Sequence, residues 1–135
     1  MADLTVTTIE PADSRTRAIT AQAGEAISAG DLIYLDSADT KMKLADASAA
    51  ATSGVVGISL TSAAADGDYL VYVTSQTIDL GAILTARTFY YLSATAGKIC
   101  PASDLVSTNV VTQLGYATST SQLTLNVVDT GVVIA

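Results

Sequence analysis

The apolar residues of this chain fall into short runs that are separated by clusters of Gly, Ser, Asp and Ala. Some runs are continuous, such as Tyr69–Thr74, and others alternate with polar residues, such as Gln122–Val128. The first pattern is typical of a buried strand and the second of a strand with one face in water. Many such runs with turn signals between them predict an all-β fold, a small single-domain barrel or sandwich.

Two stretches of the chain resemble each other. Gly24–Leu35 (GEAISAGDLIYL) returns as Gly81–Leu92 (GAILTARTFYYL) at an offset of 81 − 24 = 57 residues. The match continues beyond the tyrosines and then slips by one residue, so that Gly57 aligns with Gly115. Chance similarity of small and apolar residues is one interpretation. We favour two similar β-units within one domain, repeat 1 at about 19–75 and repeat 2 at about 76–131.

Three positions qualify this picture. A glycine within a strand indicates a bulge or a close backbone approach, which we expect at Gly57. Arg87 stands where the first repeat has Gly30, so we expect no low-cost left-handed turn there in the second repeat. Ala45–Gly54 has no amphipathic stripe and is predicted to be a surface loop or one helical turn.

Residues 1–18 precede the first repeat and are predicted to form an extended N-terminal arm, with the β-domain at 19–135. Leu4–Ile9 alternates apolar residues with threonine, which predicts one short strand before Pro11. A frayed terminus is one interpretation. The other is an arm that adds a strand to a partner's sheet. The residues predicted to bind the partner are Leu4, Thr5, Val6, Thr7, Thr8, Ile9, Arg15 and Arg17.

The composition narrows the classes of partner. With a net charge of −7 and only 6 Lys and Arg, the chain lacks the basic surface that nucleic acid or an anionic membrane requires. The N-terminus lacks the basic start and apolar run of a signal peptide, and no stretch approaches a membrane span. We therefore expect a protein made soluble in a cytoplasm, with neither nucleic acid nor membrane as its partner.

The aromatic residues suggest self-association. They make up 5% of the chain, so the core should be lean and oligomerisation should help it. Tyrosines beside aliphatic residues in strands favour core or subunit-interface packing over a sugar-binding surface. We expect a homo-oligomer, most simply a trimer, and the self-association candidates are Tyr34, Tyr69, Tyr72, Tyr90 and Tyr91.

The search for catalytic chemistry finds little in the sequence. The chain has no histidine, and this removes the commonest hydrolase and zinc arrangements. A calcium site at Asp66 and Asp68 is disfavoured because aspartate in turns normally accepts backbone hydrogen bonds. The single cysteine, Cys100, is predicted to be a small buried residue. We expect no enzyme, no cofactor, no metal site and no catalytic residue.

The chain resembles the small head-decoration, or cement, proteins of tailed bacteriophages. The resemblance lies in Ala29–Ser75, Ile83–Leu105 and Leu114–Val127, and it covers most of the chain from Gly24 to Val128. It consists of turn and strand residues and contains no chemical signature. Arg87 departs from it, because the family pattern often has glycine there.

The resemblance implies a structural virion protein on the outer surface of the mature capsid. Such a protein bridges neighbouring major capsid protein subunits, and its N-terminal arm, here Met1–Arg17, pairs with capsid-protein strands. Three rival interpretations are a receptor- or carbohydrate-binding module of a phage fibre or tail, a small trimeric β-barrel enzyme, and another tail or shell component. Genes for a capsid protein and a scaffold protease next to this one would favour the cement interpretation.

Overall fold

Short antiparallel strands make up the body of the protein. The computed structural model describes Leu4, the backbone of Glu10–Pro11, and residues 18–134. The strands are β1 (Glu10–Pro11), β2 (Ile19–Gln22), β3 (Leu32–Asp36), β4 (Lys41–Leu44), β5 (Val55–Ser59), β6 (Tyr69–Val73), β7 (Ser75–Asp79), β8 (Phe89–Leu92), β9 (Ile99–Pro101), β10 (Val110–Ala117) and β11 (Gln122–Val133). Two 3-10 turns, Ala50–Thr52 and Ala102–Asp104, are the helical elements of the described residues. The predicted all-β fold is confirmed.

The strands form two sheets with the same strand order. The first sheet runs β2-β6-β5-β3-β4, and the second runs β7-β11-β10-β8-β9 with the short β1 added next to β7. Each strand of the first sheet therefore has a counterpart in the second, with β2 matching β7 and β4 matching β9. We call β2–β6 the first unit and β7–β11 the second unit.

The match between the units extends to the pairing of single residues. Tyr34 pairs with Lys43 in the first unit, and their counterparts Tyr91 and Cys100 pair in the second. The pairing of β3 with β5 shifts between Ile33 and Tyr34, and the pairing of β8 with β10 shifts at the equivalent place. β5 and β10 thus each carry a bulge just before the aligned glycines, Gly57 and Gly115. The bulge at Gly57 is the one that we expected from the sequence.

The left-handed turn of the first unit repeats in the second unit, although the second unit has no glycine at that position. Gly30 has φ 92°, and Arg87 has φ 63° at the aligned position. In both units this residue donates a backbone hydrogen bond of 2.7 Å, from Gly30 N to Ser59 O and from Arg87 N to Ala117 O. The second unit keeps the left-handed turn without a glycine because the turn supplies the same strand-joining hydrogen bond. A side chain in this conformation costs about 1–2 kcal/mol.

The core lies mainly between the two units and inside the second. Leu32, Ile58 and Val73 of the first unit join Leu92, Leu114 and other residues of the second unit in one buried cluster. A smaller cluster on the other face of the first sheet packs Ile33, Leu70 and Tyr72 under Ile27 and Ala63. The two clusters place apolar residues on both faces of the first sheet, which explains the continuous apolar runs in its strands.

Candidate interaction surfaces

The N-terminal residues that the structure describes contact both edges of the second unit. The backbone N–H of Leu4 donates to Ile99 O on β9 at 2.9 Å. Glu10 and Pro11 pair antiparallel with Asp79 and Ile78 on β7, at the opposite edge. These described residues thus lie against the two edge strands of the second unit, β9 and β7. We call the space between these two edges the gap in the second sheet.

The first unit closes the equivalent gap with its own chain. Ala23, directly after β2, forms a parallel bridge with Met42 of β4, and Gly24 N donates to Met42 O at 2.8 Å. The counterpart of Met42 is Ile99, since 99 − 42 = 57, and its carbonyl oxygen is the one that accepts Leu4 N. The N-terminal segment therefore takes the role in the second unit that residues 23–24 have in the first.

A local difference at Gly81 explains why the second unit lacks its own closure. Gly81 is the counterpart of Gly24, but its N–H donates to the side-chain Oδ1 of Asp79 at 2.9 Å. Gly81 also has φ 76°, a left-handed conformation that turns the chain. This donor is thus used within its own turn, and the carbonyl of Ile99 is left for Leu4.

A cleft of about 340 Å³ opens beside Leu4. Besides Leu4, it is lined by Ile83, Thr85, Thr88, Tyr90 and Pro101. The hydroxyl of Tyr90 accepts the backbone N–H of Thr85 at 2.8 Å, which fixes the tyrosine and the loop across the cleft. Leu4 is half-buried and packs against the main core, so it occupies one end of an apolar groove.

Most of the predicted arm residues lie outside the described part of the chain. These are Thr5, Val6, Thr7, Thr8, Ile9, Arg15 and Arg17. Their proposed role in partner binding stays a prediction. Of the predicted set, Leu4 is the residue that the structure places, and it contacts the chain's own second unit.

The five tyrosines predicted to mediate self-association differ in exposure. Tyr72 and Tyr90 are buried, with 8% and 3% of their surface exposed, and they pack in the chain's own cores. Their side chains therefore do not form a contact surface in the folded chain, which corrects the prediction for these two. Tyr34 and Tyr91 are half-buried, and Tyr69 is 68% exposed.

An aromatic surface on the second unit was not predicted as such. Phe89 is 46% exposed and forms a cross-strand pair with Tyr116, with ring centroids 4.9 Å apart. Tyr91 lies two residues along β8 and therefore on the same face of the sheet. We call Phe89, Tyr91 and Tyr116 the aromatic face.

The counterpart of the aromatic face is buried in the first unit. Leu32 and Ile58 occupy the positions of Phe89 and Tyr116, and both are fully buried in the core shared with the second unit. The second unit thus covers this face of the first unit. The aromatic face, its counterpart on the second unit, stays uncovered. The sequence signal for this face was the alternation in Phe89–Leu92. Because Tyr90 and Leu92 face the core, Phe89 and Tyr91 must lie on the other face of the strand.

Charged side chains cluster on the turns of the first unit. Lys43 Nζ lies 2.7 Å from Asp36 and 3.3 Å from Asp39, and Lys41 Nζ lies 2.8 Å from Asp66. The hydrogen bond from Lys43 lowers the pKa of Asp36, and that from Lys41 lowers the pKa of Asp66.

Asp66 and Asp68, at which a calcium site was disfavoured, both have protein partners. Asp68 accepts the backbone N–H groups of Ala64 and Ala65, and Asp66 pairs with Lys41 as described above. Among the residues that the structure describes, no three Asp, Glu or Cys side chains gather as a metal site would require. Cys100 is a buried free thiol.

No helix in the described ranges is long and apolar enough to cross a membrane. No family model, curated protein or solved structure matches this chain.

Proposed function

We propose that this protein is a structural virion protein that binds the outside of the mature bacteriophage capsid and stabilises the shell by bridging major capsid protein subunits. The observation that carries the proposal is the main-chain pairing of the described N-terminal residues with sheet edges. Leu4 and Glu10–Pro11 attach to sheet edges through main-chain hydrogen bonds, which is how an arm would pair with strands of a capsid protein. The sequence resemblance to decoration proteins supports the same role.

Self-association through the aromatic face would suit this function. A cement protein that occupies several neighbouring sites gains affinity when its copies are linked, because the later contacts become intramolecular. The occupant that we propose for the aromatic face is a second copy of this chain. The equivalent face of the first unit is already covered by the second unit of the same chain. A β-unit from another copy could therefore cover the aromatic face in the same way. A trimer is the assembly that we propose.

The direct test is co-sedimentation with expanded, undecorated capsids of the phage that encodes this chain. Val6→Pro removes a backbone donor from the arm and disfavours a paired strand. A strand of this length contributes several hydrogen bonds of about 1 kcal/mol net each, so we expect capsid binding to fall well over tenfold. Replacing Arg15 and Arg17 with alanine should have a milder, salt-sensitive effect. Equal binding by the wild type and Val6→Pro would place the attachment on the β-body.

A receptor- or carbohydrate-binding module of a phage fibre or tail is the second candidate. The observation that favours it is the pair of exposed Phe89 and half-buried Tyr116, because sugars stack on exposed aromatic rings. A glycan array and saccharide titrations of tyrosine fluorescence would test this candidate. Binding that disappears in Phe89→Ala while capsid binding persists would assign the aromatic face to a glycan.

A further inference from the structure

The two units differ in where their closing segment comes from. In the first unit the closing residue, Gly24, directly follows β2 and belongs to the same sheet. In the second unit the closing residue, Leu4, lies 99 − 4 = 95 residues before the Ile99 that it contacts. The second closure is therefore made by a segment that the unit itself does not contain.

We propose that the gap between β7 and β9 is a strand-acceptor site that takes the N-terminal segment of a second copy of this chain in exchange for its own. The site consists of the carbonyl of Ile99, the edge of β7 at Ile78–Asp79, and the apolar cleft beside them. The inference does not rest on a capsid role, since it concerns the chain and its own copies.

A second copy is the occupant that the contacts specify. A segment from another copy carries the same leucine and the same Glu10–Pro11 backbone, so it would form the same contacts that the structure shows within one chain. Exchange of an identical element between subunits needs no new complementary surface. The six residues 12–17 connect Pro11 to Ala18 and set the reach of the segment.

The acceptor also provides space for a docked side chain. Ile83, Thr85 and Pro101 line the cleft with Leu4 at one end. Ile83 and Pro101 are half-buried, whereas Thr85 is exposed. A side chain that enters the cleft therefore meets a preformed lining of Ile83, Tyr90 and Pro101 together with two threonines, which lowers the cost of ordering the incoming segment.

The first experiment measures binding of a fluorescein-labelled peptide of residues 1–17 to the full-length chain. Leu4→Asp in the protein weakens the segment that competes from within the same chain, so this variant should bind the peptide at least tenfold more tightly than the wild type. A peptide that itself carries Leu4→Asp is the control and should not compete. Leu4→Ala repeats the measurement if the aspartate disturbs folding. Absence of peptide binding by both folded variants, measured by fluorescence anisotropy to hundreds of micromolar, would overturn the proposal.

The second experiment separates donor and acceptor in full-length chains. Thr85→Arg places a long charged side chain at the cleft, and Ala86→Arg is the matched control because Ala86 is an exposed neighbour that does not line the cleft. Leu4→Asp chains lack a good donor, and Thr85→Arg chains lack a good acceptor. Mixed together in a Phe89→Asp background, which removes association through the aromatic face, they should form a 1:1 heterodimer that neither variant forms with itself. If the mixture forms no more heterodimer than Leu4→Asp forms with Ala86→Arg chains, exchange does not occur.

Discussion

Gly57 and Gly115 occupy equivalent positions in the two units, and each lies against a carbonyl of the next strand. A Cβ atom added to Gly57 would lie 2.2 Å from Val73 O, and one added to Gly115 would lie 2.2 Å from Thr124 O. Real Cβ atoms essentially never come so close to a backbone atom. The repeat in the sequence thus preserves a close approach of two backbones beside a bulge.

Alanine at either glycine should be severely destabilising. In Gly57→Ala and Gly115→Ala the strands must move apart, which breaks ladder hydrogen bonds, and we expect losses of about 3 kcal/mol or more in the free energy of unfolding. Gly54→Ala is the matched control, because a Cβ there has no neighbour within 4 Å. Its effect should stay within about 0.5 kcal/mol. Urea denaturation followed by circular dichroism measures all three, and a loss in Gly54→Ala equal to the others would refute the explanation.

Glycine at the left-handed arginine should have the opposite sign. Arg87→Gly removes the strain at φ 63°, which outweighs the extra entropy of the unfolded chain, so we expect a gain of up to about 1 kcal/mol. Ala86→Gly next to it relieves no such strain and should lose about 0.5–1 kcal/mol. Thermal unfolding of both variants distinguishes the two effects. Equal losses would mean that the turn is not strained.

Acid should titrate Asp36 later than an ordinary aspartate. The hydrogen bond from Lys43 is the main cause that holds the pKa of Asp36 below 3.8, with the backbone N–H of Ala38 adding to it. Because the folded pKa lies below the unfolded one, this stabilisation is complete above pH ~3.8 and is lost as the pH falls through the folded value. Lys43→Met should return the pKa of Asp36 towards 3.8. Lys41→Met should instead raise the pKa of Asp66 and leave the pKa of Asp36 nearly unaltered. Carboxyl chemical shifts measured by NMR against pH test both statements.

The aromatic face should control the oligomeric state. We expect sedimentation at micromolar concentration to give a species above monomer, and Phe89→Asp should shift it to monomer by placing a charge in an apolar contact. Val106→Asp is the control, since Val106 is 61% exposed but lies in a loop outside the aromatic face. If both variants remain oligomeric, self-association uses another surface.

Local patterns in the sequence predicted the all-β fold. They could not predict contacts between residues that are distant in the sequence. The aligned Gly57 and Gly115 anticipated the equivalent bulges, because a backbone approach demands glycine wherever it occurs. Arg87 did not reveal that the turn would form, since propensity describes the cost of a left-handed residue and not the hydrogen bond to Ala117 that offsets it. No local signal connects Leu4 with Ile99, because their contact depends on how the second sheet ends.

The candidate surface was harder to predict than the strands. Tyr90 and Tyr91 are adjacent and chemically identical, yet one is buried and the other is part of an open face. Which of two neighbouring tyrosines faces the core depends on the register of β8 against β10, and a slip of one residue would exchange them.

The long separation between Leu4 and Ile99 has a consequence for synthesis on the ribosome. The strands of the first unit have all been made once Val73 has emerged, but Leu32, Ile58 and Val73 still lack the second-unit residues that complete their core. Leu4 must wait for Ile99, and at roughly 5–20 residues per second the 95 residues from Thr5 to Ile99 take on the order of 5 to 20 s. During that interval the N–H of Leu4 lacks the carbonyl oxygen that accepts it in the folded protein. The contact thus joins a residue made at the very start of synthesis to a strand made more than half the chain later.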